Sequence, residues 1–289
     1  MNNLLIEIIV AVRNEEETIP LFIKALDDFD LPKQTKFQVT FIEDSSTDKT
    51  KEIIRELADK RTDINYYFLK KGYGQSVAIA YGLLASKADA IIMMDVDGGH
   101  PFETIPLMIE QFLKGSDAVQ AVRRKIASRS AYRDIGSFLF SNLFATLTGV
   151  NLIKQNVYFR LLGRKFIDAL SPDKRWLHFL RINYASFKDL NVNYIEFEAK
   201  ERTLGQSKYN FKRLLKLAWV ASFAVISRQR FNLYILLLFI LSISLFSLGF
   251  PALAILPCLA AIIGLKSFYK LAAINVISLV ETAESKRQQ

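Results

Sequence analysis

Leu4-Leu5-Ile6-Glu7-Ile8-Ile9-Val10-Ala11-Val12-Arg13-Asn14-Glu15-Glu16-Glu17 is an apolar run, broken only by Glu7, that turns abruptly polar and then passes into a helical pattern through Phe29. An apolar run without alternation fits a strand buried on both faces, and the polar patch with amphipathic spacing behind it fits a loop leading into a packed helix. The unit recurs. Phe37 to Ile42 is followed by Asp48 to Lys60, Ile64 to Leu69 by Ser76 to Ser86, and Ala88 to Met94 by Pro101 to Lys114. Repeated strand and helix units predict an α/β domain with a mostly parallel, Rossmann-like sheet whose binding site lies beyond the carboxyl ends of the strands. A further strand is expected at Asp117 to Val122, with helices near Ser130 to Leu147 and Arg164 to Leu170.

Charges are scattered from Met1 to Arg230 but absent from Phe231 to Leu265. One helix over that stretch would be about 52 Å long at about 1.5 Å per residue, well beyond a hydrocarbon core of about 30 Å. Gly249-Phe250-Pro251 supplies turn chemistry near the middle, so a transmembrane hairpin of Phe231 to Leu248 and Pro251 to Tyr269 is expected. The alternative is a core hairpin of a soluble protein, but a chain of 289 residues would need other apolar surfaces to cover both helices all round. Arg228 and Arg230 precede the hairpin and Lys266, Lys270, Lys286 and Arg287 follow its start, which places both flanks on the cytoplasmic side, as on a bacterial inner membrane. No cleavable signal is expected, because Met1 to Val12 lacks a basic leading segment.

Lys208 to Ser227 carries Lys208, Lys212, Arg213 and Lys216 interleaved with Phe211, Leu214, Leu215, Trp219 and Phe223, a basic and an apolar side at helical spacing. Such a helix lies in the lipid interface or packs on the α/β domain. The chain therefore divides into a catalytic-type domain over 1–207, an interfacial helix over 208–230, two spans over 231–269 and a tail over 270–289. A net charge of +9 calls for anionic partners, and the hairpin turns that expectation toward a lipid bilayer and phosphorylated substrates rather than nucleic acid. Cys258, the only cysteine, excludes an internal disulfide and a cysteine zinc cluster. Two short spans leave room for a homo-oligomer.

Two polar clusters close predicted strands. Met94-Asp95-Val96-Asp97-Gly98-Gly99-His100-Pro101 places two carboxylates one residue apart on a turn, a pair able to hold Mg²⁺ or Mn²⁺ through oxygen and so to neutralise a diphosphate; a solvated turn is the simpler reading. His100 is a possible additional ligand. In Phe41-Ile42-Glu43-Asp44-Ser45-Ser46-Thr47-Asp48, Thr47 or Asp48 can cap the next helix, and Asp44 can accept hydrogen bonds from a base or ribose.

Together with Val10-Ala11-Val12-Arg13-Asn14-Glu15-Glu16, these clusters resemble, in order and spacing, three landmarks of glycosyltransferase family 2. Lys70-Lys71-Gly72-Tyr73-Gly74-Gln75 and Arg202-Thr203-Leu204-Gly205-Gln206-Ser207-Lys208-Tyr209 resemble the branch that holds dolichyl-phosphate mannose synthase and bacterial polyprenyl-phosphate glycosyltransferases. The resemblance covers roughly residues 5–230 and the hairpin. It implies a glycosyltransferase A fold and an inverting displacement with a nucleotide-sugar donor, a polyprenyl phosphate acceptor and Mg²⁺ or Mn²⁺. Carried onto this chain, it implies that Val12, Asn14, Glu15, Asp44, Ser46, Gln75 and Asp95 bind the nucleotide and that Asp95 and Asp97 hold the metal. It gives Arg123, Arg133, Ser137, Arg202, Ser207 and Lys208 to the phosphates and acceptor, with Asp95, Asp97 and Arg202 catalytic.

The chain departs from that pattern in three places. In Lys154-Gln155-Asn156-Val157-Tyr158-Phe159-Arg160-Leu161 the acidic residue and the glycine that relatives usually carry before Phe-Arg-Leu are both absent, Gly99 stands where glutamine is usual, and Glu43 replaces aspartate. The expected reaction is transfer of glucose or another hexose from its UDP derivative to a lipid phosphate such as undecaprenyl phosphate. A catalytically silent membrane subunit that binds lipid or a partner protein is the alternative. A processive polysaccharide synthase fits less well, since Pro172 breaks the motif that Arg175-Trp176 would complete.

Overall fold

The computed structural model describes residues 4–30, 32, 35–124, 142, 144–146, 158–169, 190–198, 226–272 and 284–285. Four strands, β1 (Leu4–Val12), β2 (Thr35–Glu43), β3 (Ile64–Phe68) and β4 (Ala90–Met93), alternate with helices α1 (Thr18–Asp27), α2 (Thr50–Lys60) and α3 (Gln75–Ala85). After β4 come a 3₁₀ turn (Phe102–Thr104), α4 (Ile105–Leu113), β5 (Ala118–Arg123), β6 (Arg160–Gly163), α5 (Arg164–Asp168) and β7 (Val192–Phe197). The chain ends with α6 (Arg228–Ser247), α7 (Pro251–Ala272) and the short β8 (Glu284–Ser285).

Among the described residues these strands form one sheet of order β7-β5-β6-β4-β1-β2-β3-β8. β3, β2, β1 and β4 are mutually parallel; β6 runs antiparallel between β4 and β5, and β7 lies parallel to β5. The expected mostly parallel α/β architecture is therefore present, and the order turns back between β1 and β4. A crevice for ligands opens at such a reversal, at the carboxyl ends of the strands.

β1 shows why a central strand has no alternation. Ile6, Ile8, Val10 and Val12 pack on one face with Ile19, Phe22 and Leu26 of α1, whereas Ile9 packs on the other with Val77, Ile79 and Leu83 of α3. Full burial of each such side chain contributes about 1.5–3 kcal/mol. Glu7, 1 % exposed within this strand, accepts hydrogen bonds from the Thr40 and Ser86 hydroxyls, so its carboxyl is satisfied inside the α3 face. α3 is buried from Val77 to Leu83 and runs so close to the sheet that a Cβ on Gly82 would lie 2.8 Å from Ile9 Cγ2.

Boundaries differ from expectation for local reasons. The helix expected from Pro101 begins as a 3₁₀ turn and becomes α-helical at Ile105, because Pro106 has no N–H to give the preceding turn. α2 begins at Thr50, where Asp48 Oδ1 accepts from the Thr50 amide at 3.1 Å, while Thr47 is engaged elsewhere. β6 and β7 had no expectation: one has 4 residues and the other is half exposed, so neither carries a periodic signal. The helix expected near 130–147 and the interfacial helix over 208–227 lie outside the described residues, apart from residues 142, 144–146 and 226–227.

α6 and α7 form the expected hairpin. The Ser227 hydroxyl caps α6 by accepting from Arg230 N at 3.2 Å, so the helix starts three residues before the apolar run. At its end Gly249, with φ of 82°, donates to Phe246 O and Phe250 donates to Leu245 O, a left-handed glycine cap, and Pro251 opens α7. α7 turns Ala254, Ala261 and Phe268 toward α6, with Phe268 stacked on Phe231 at 4.1 Å. Both helices are long and apolar enough to cross a membrane, and only 11 % and 28 % of their windows are buried, unlike the core helices of a soluble domain. They mark the chain as a membrane protein. α7 also contains Pro257, and in the turn before it the Ala254 carbonyl accepts the Ser242 hydroxyl at 2.7 Å.

Candidate active site

Four loops leave the carboxyl ends of β1, β2, β3 and β4, and each turns through one left-handed residue: Asn14 (φ 54°), Ser45 (φ 60°), Gly74 (φ 92°) and Gly98 (φ 74°). Two of these are not glycine, and such backbone costs about 1–2 kcal/mol for an ordinary residue. Side chains from one loop to the next hold the four in place. Asn14 N donates to Ser46 Oγ at 2.9 Å, and Asn14 Oδ1 accepts from Thr47 N at 2.8 Å. Asp44 accepts from Tyr73 N at 2.6 Å and Gly74 N at 2.8 Å. Gln75 Nε2 donates to Asp95 Oδ1 at 2.7 Å. Asn14, Ser46, Asp44, Gln75 and Asp95 thus belong to one arc of linked loops around the crevice between β1 and β4.

Asp44 is 3 % exposed, and its carboxylate closes the loop after β3 onto β2. Burial pushes its carboxyl above the ordinary value of 3.8, against the Tyr73 and Gly74 amides and Arg13, which lower it. Arg13 Nη1 lies 4.0 Å from Asp44 Oδ2, and its guanidinium covers Gly72 so closely that a Cβ there would lie 2.6 Å from it. Beside Asp44, Glu43 is fully buried; its Oε1 accepts from Ser46 N, and Oε2 faces Lys51 at 3.5 Å. Val12 ends β1 in the core, and Glu15 accepts the Thr18 hydroxyl and receives α1 on its carbonyl, which turns it toward the start of that helix.

Asp95 and Asp97 stand half-buried after β4, where Asp97 Oδ1 accepts from Gly99 N at 3.0 Å. Among the described residues no group of three or more His, Cys, Asp or Glu gathers around a common point. Two carboxylates fit Mg²⁺ or Mn²⁺ nonetheless, since such an ion is commonly held by one or two of them and completes its shell with phosphate oxygens and water. His100 does not face outward as a third ligand. Its Nδ1 accepts from Asp95 N at 2.9 Å, and its ring, 5 % exposed, stacks on Phe159 at 4.8 Å. A cleft of about 440 Å³ runs from Asp95 along α1, with Leu21, Phe22, Phe29, Pro101 and Phe102 in its walls.

The strand directions bring two further segments to this edge. Arg160 pairs with Met93 and Gln120, so Tyr158 and Phe159 lie beside the start of the Asp95 loop, and Arg123 ends β5 on the same side. Tyr158 is buried, and its hydroxyl shares a 2.6 Å hydrogen bond with Ser76 Oγ, one residue beyond Gln75. Neither Tyr158 nor Ser76 was among the expected site residues; the only hint was the departure in sequence before Phe159. Arg123 is exposed. Arg133, Ser137, Arg202, Ser207 and Lys208 lie outside the described residues.

Residues 7–167 match the model of Glycosyl transferase family 2. The chain belongs to this family. The glycosyltransferase is 30 % identical over 215 residues to the uncharacterized glycosyltransferase YkcC of Bacillus subtilis, covering 73 % of this chain and 65 % of that one. It is 30 % identical to the bactoprenol glucosyl transferase of Shigella phage SfX (74 % of this chain, 70 % of the relative). With the undecaprenyl-phosphate 4-deoxy-4-formamido-L-arabinose transferase of Aeromonas hydrophila the identity is 29 % (76 % and 68 %). The chain thus spans about two thirds of the length of these relatives. Among solved structures, glucosyl-3-phosphoglycerate synthase from Mycobacterium tuberculosis, crystallised with Mn²⁺, UDP-glucose and phosphoglyceric acid, superposes with a TM-score of 0.55 at 16 % identity, over 77 % of this chain and 80 % of that one. Mannosyl-3-phosphoglycerate synthase from Rubrobacter xylanophilus gives 0.52 at 13 %, over 77 % and 73 %. At these identities the likeness is one of fold, the glycosyltransferase A fold.

Proposed function

We propose that this glycosyltransferase transfers a hexose, glucose foremost, from a UDP-sugar to a polyprenyl phosphate such as undecaprenyl phosphate, at the cytoplasmic face of the membrane. The observation that carries the reading is the arc from Asn14 to Asp95 at the sheet's reversal, in a chain that also has a membrane hairpin. The names of the bactoprenol and undecaprenyl-phosphate transferases support the acceptor class. The basic flanks Arg228, Arg230 and Lys266 support the cytoplasmic orientation.

In this reaction an oxygen of the acceptor phosphate attacks the anomeric carbon, and the bond from that carbon to the diphosphate oxygen breaks. UDP leaves with the electron pair, and the configuration inverts. The acceptor phosphate is already ionised at neutral pH, so no side chain has to remove a proton from it. Tyr158, with its hydroxyl hydrogen-bonded to that of Ser76, is compatible with such a step. Val12, Asn14, Glu15, Asp44, Ser46 and Gln75 form or support the nucleotide pocket. Asp95 and Asp97 would hold Mg²⁺ or Mn²⁺, which supplies neutralisation of the diphosphate charge. Arg123, with Arg133, Ser137, Arg202, Ser207 and Lys208, is assigned to the phosphates, for which the guanidinium fork is suited.

The test is transfer of radiolabelled sugar from a panel of UDP- and GDP-sugars to undecaprenyl phosphate in detergent, with Mn²⁺ or Mg²⁺, alongside Asp97→Ala. A labelled lipid is expected from a UDP-hexose, reduced at least about a hundredfold in the variant if the carboxylate acts on developing charge. Folded protein that yields no labelled lipid from any donor would overturn the proposal in favour of a lipid-binding subunit.

A further inference from the structure

His100 is the polar residue of the Asp95 turn that is buried, beside the core residue Val96, and its surroundings give it a definite task. Nδ1 accepts from the Asp95 amide at 2.9 Å, while Nε2 lies 3.7 Å from Asp95 Oδ2. A neutral ring whose Nδ1 accepts carries its proton on Nε2, which stands near that carboxylate, beyond hydrogen-bond length. The ring lies flat on Phe159, with centroids 4.8 Å apart and an angle of 7°, and meets Phe197 edge-on at 6.1 Å and 81°. Phe159 precedes β6 and Phe197 ends β7, so the imidazole is seated on two strands that lie on the far side of β4 from the nucleotide loops. On its other side Asp95 receives Gln75 Nε2 at 2.7 Å.

We infer that His100 is a positioning residue for Asp95: it fixes the backbone and carboxylate of Asp95 against the aromatic pair Phe159 and Phe197, so that this carboxylate is set before a nucleoside diphosphate and its divalent cation arrive. The inference rests on the proposed donor site and adds to it a residue that touches neither sugar nor phosphate. A flexible turn between β4 and the 3₁₀ helix would otherwise leave Asp95 to be ordered at the moment of binding, which weakens binding by the entropy of that ordering. Partners of this kind behind a ligating carboxylate typically account for about 10–100-fold in affinity.

Full-length protein in detergent separates the possibilities with three variants and two measurements. His100→Phe keeps a flat ring for Phe159 but loses both polar contacts; His100→Asn returns an acceptor near the place of Nδ1; Leu113→Ala, exposed at the end of α4 and outside the cleft, serves as a distant control. UDP binding in the presence of MnCl₂ is measured by calorimetry, and hydrogen exchange is followed in peptides covering residues 93–101. His100→Phe is expected to weaken UDP binding about tenfold and to raise exchange at the Asp95 amide, with His100→Asn recovering most of both. UDP binding unchanged in His100→Phe, or equal losses in His100→Phe and His100→Asn, would overturn the inference while leaving the donor site intact. Failure of the wild-type chain to bind either UDP or GDP with Mn²⁺ would instead remove the donor site, and the inference with it.

Discussion

Asp44 shows how a single carboxylate can serve structure and site together. Its oxygens are taken by two backbone amides, Tyr73 and Gly74, so removing it would release the loop that delivers Gln75 to Asp95. Because burial raises its folded pKa above 3.8, the folded chain holds a proton that the unfolded chain has lost between those two values. The stabilisation from that proton is complete below 3.8 and is lost as pH rises through the folded value. Melting temperatures of Asp44→Asn measured from pH 3.5 to 7 should lack this component of the slope; an unchanged slope would assign it elsewhere. At this scale the sequence was legible where polarity broke an apolar run, which is why it singles out Asn14, Asp44 and Asp95, whose side chains link the loops after the strands. Ser76 and Tyr158, 82 positions apart, carry no such mark because they are ordinary residues made relevant only by strand pairing. His100 was noticed as a potential ligand, but the Phe159 and Phe197 rings that seat it come from strands invisible to periodicity.

Elements are joined here with little slack. α3 crosses β1 and β2 with Gly82 at the closest point, where a Cβ would meet Ile9 Cγ2 at 2.8 Å and Ile42 Cδ1 at 3.2 Å. Alanine at 82 gains about 1 kcal/mol of helix propensity but overpacks the face at a cost of about 1–3 kcal/mol, so Gly82→Ala should show a net loss of up to about 2 kcal/mol in denaturant unfolding. In the hairpin, Ser242 donates to the Ala254 carbonyl and contacts Cys258 Sγ at 3.1 Å, beside the Pro257 that interrupts the helical ladder. Ser242→Ala should weaken the association of α6 with α7 by about 0.6–1.7 kcal/mol, read by resistance to unfolding in detergent mixtures. The strands of the sheet do not share equal legibility. β1 to β4 were readable as apolar runs because both faces of each are covered, whereas β7, with Asn193, Tyr194 and Glu196 exposed, draws its place from register with β5 rather than from pattern. The hairpin was legible from charge alone, since no other feature of a chain this size keeps charges out of so long a stretch.

At the scale of the molecule, the sheet and the hairpin are connected twice. β7 stands at one margin of the sheet and leads on to α6; β8, which follows α7, stands at the other, paired with Tyr67 and Phe68 of β3. β8 covers the backbone groups of an edge strand, a position that otherwise invites pairing with another chain. A chain ending at residue 283 should therefore stay in the membrane fraction on carbonate extraction but melt a few degrees lower and aggregate more readily, by roughly the 1 kcal/mol expected of so short a pairing. Loss of membrane retention in that variant would mean the tail, not the hairpin, holds the protein down. Nothing in the sequence of the tail forecast this strand, because two residues give no period and their partner lies far back in the chain.

The double connection constrains motion as well as stability. A body hung from a single leash is free to swivel, and the mouth of its crevice samples every compass direction over the bilayer. One fastened at both margins has a second limit on how far it can turn away. The second leash is also short: from Ala272 to Glu284 even a fully stretched chain reaches no more than about 40 Å, at roughly 3.5 Å per residue. The β3 margin must therefore stay within that distance of the end of α7.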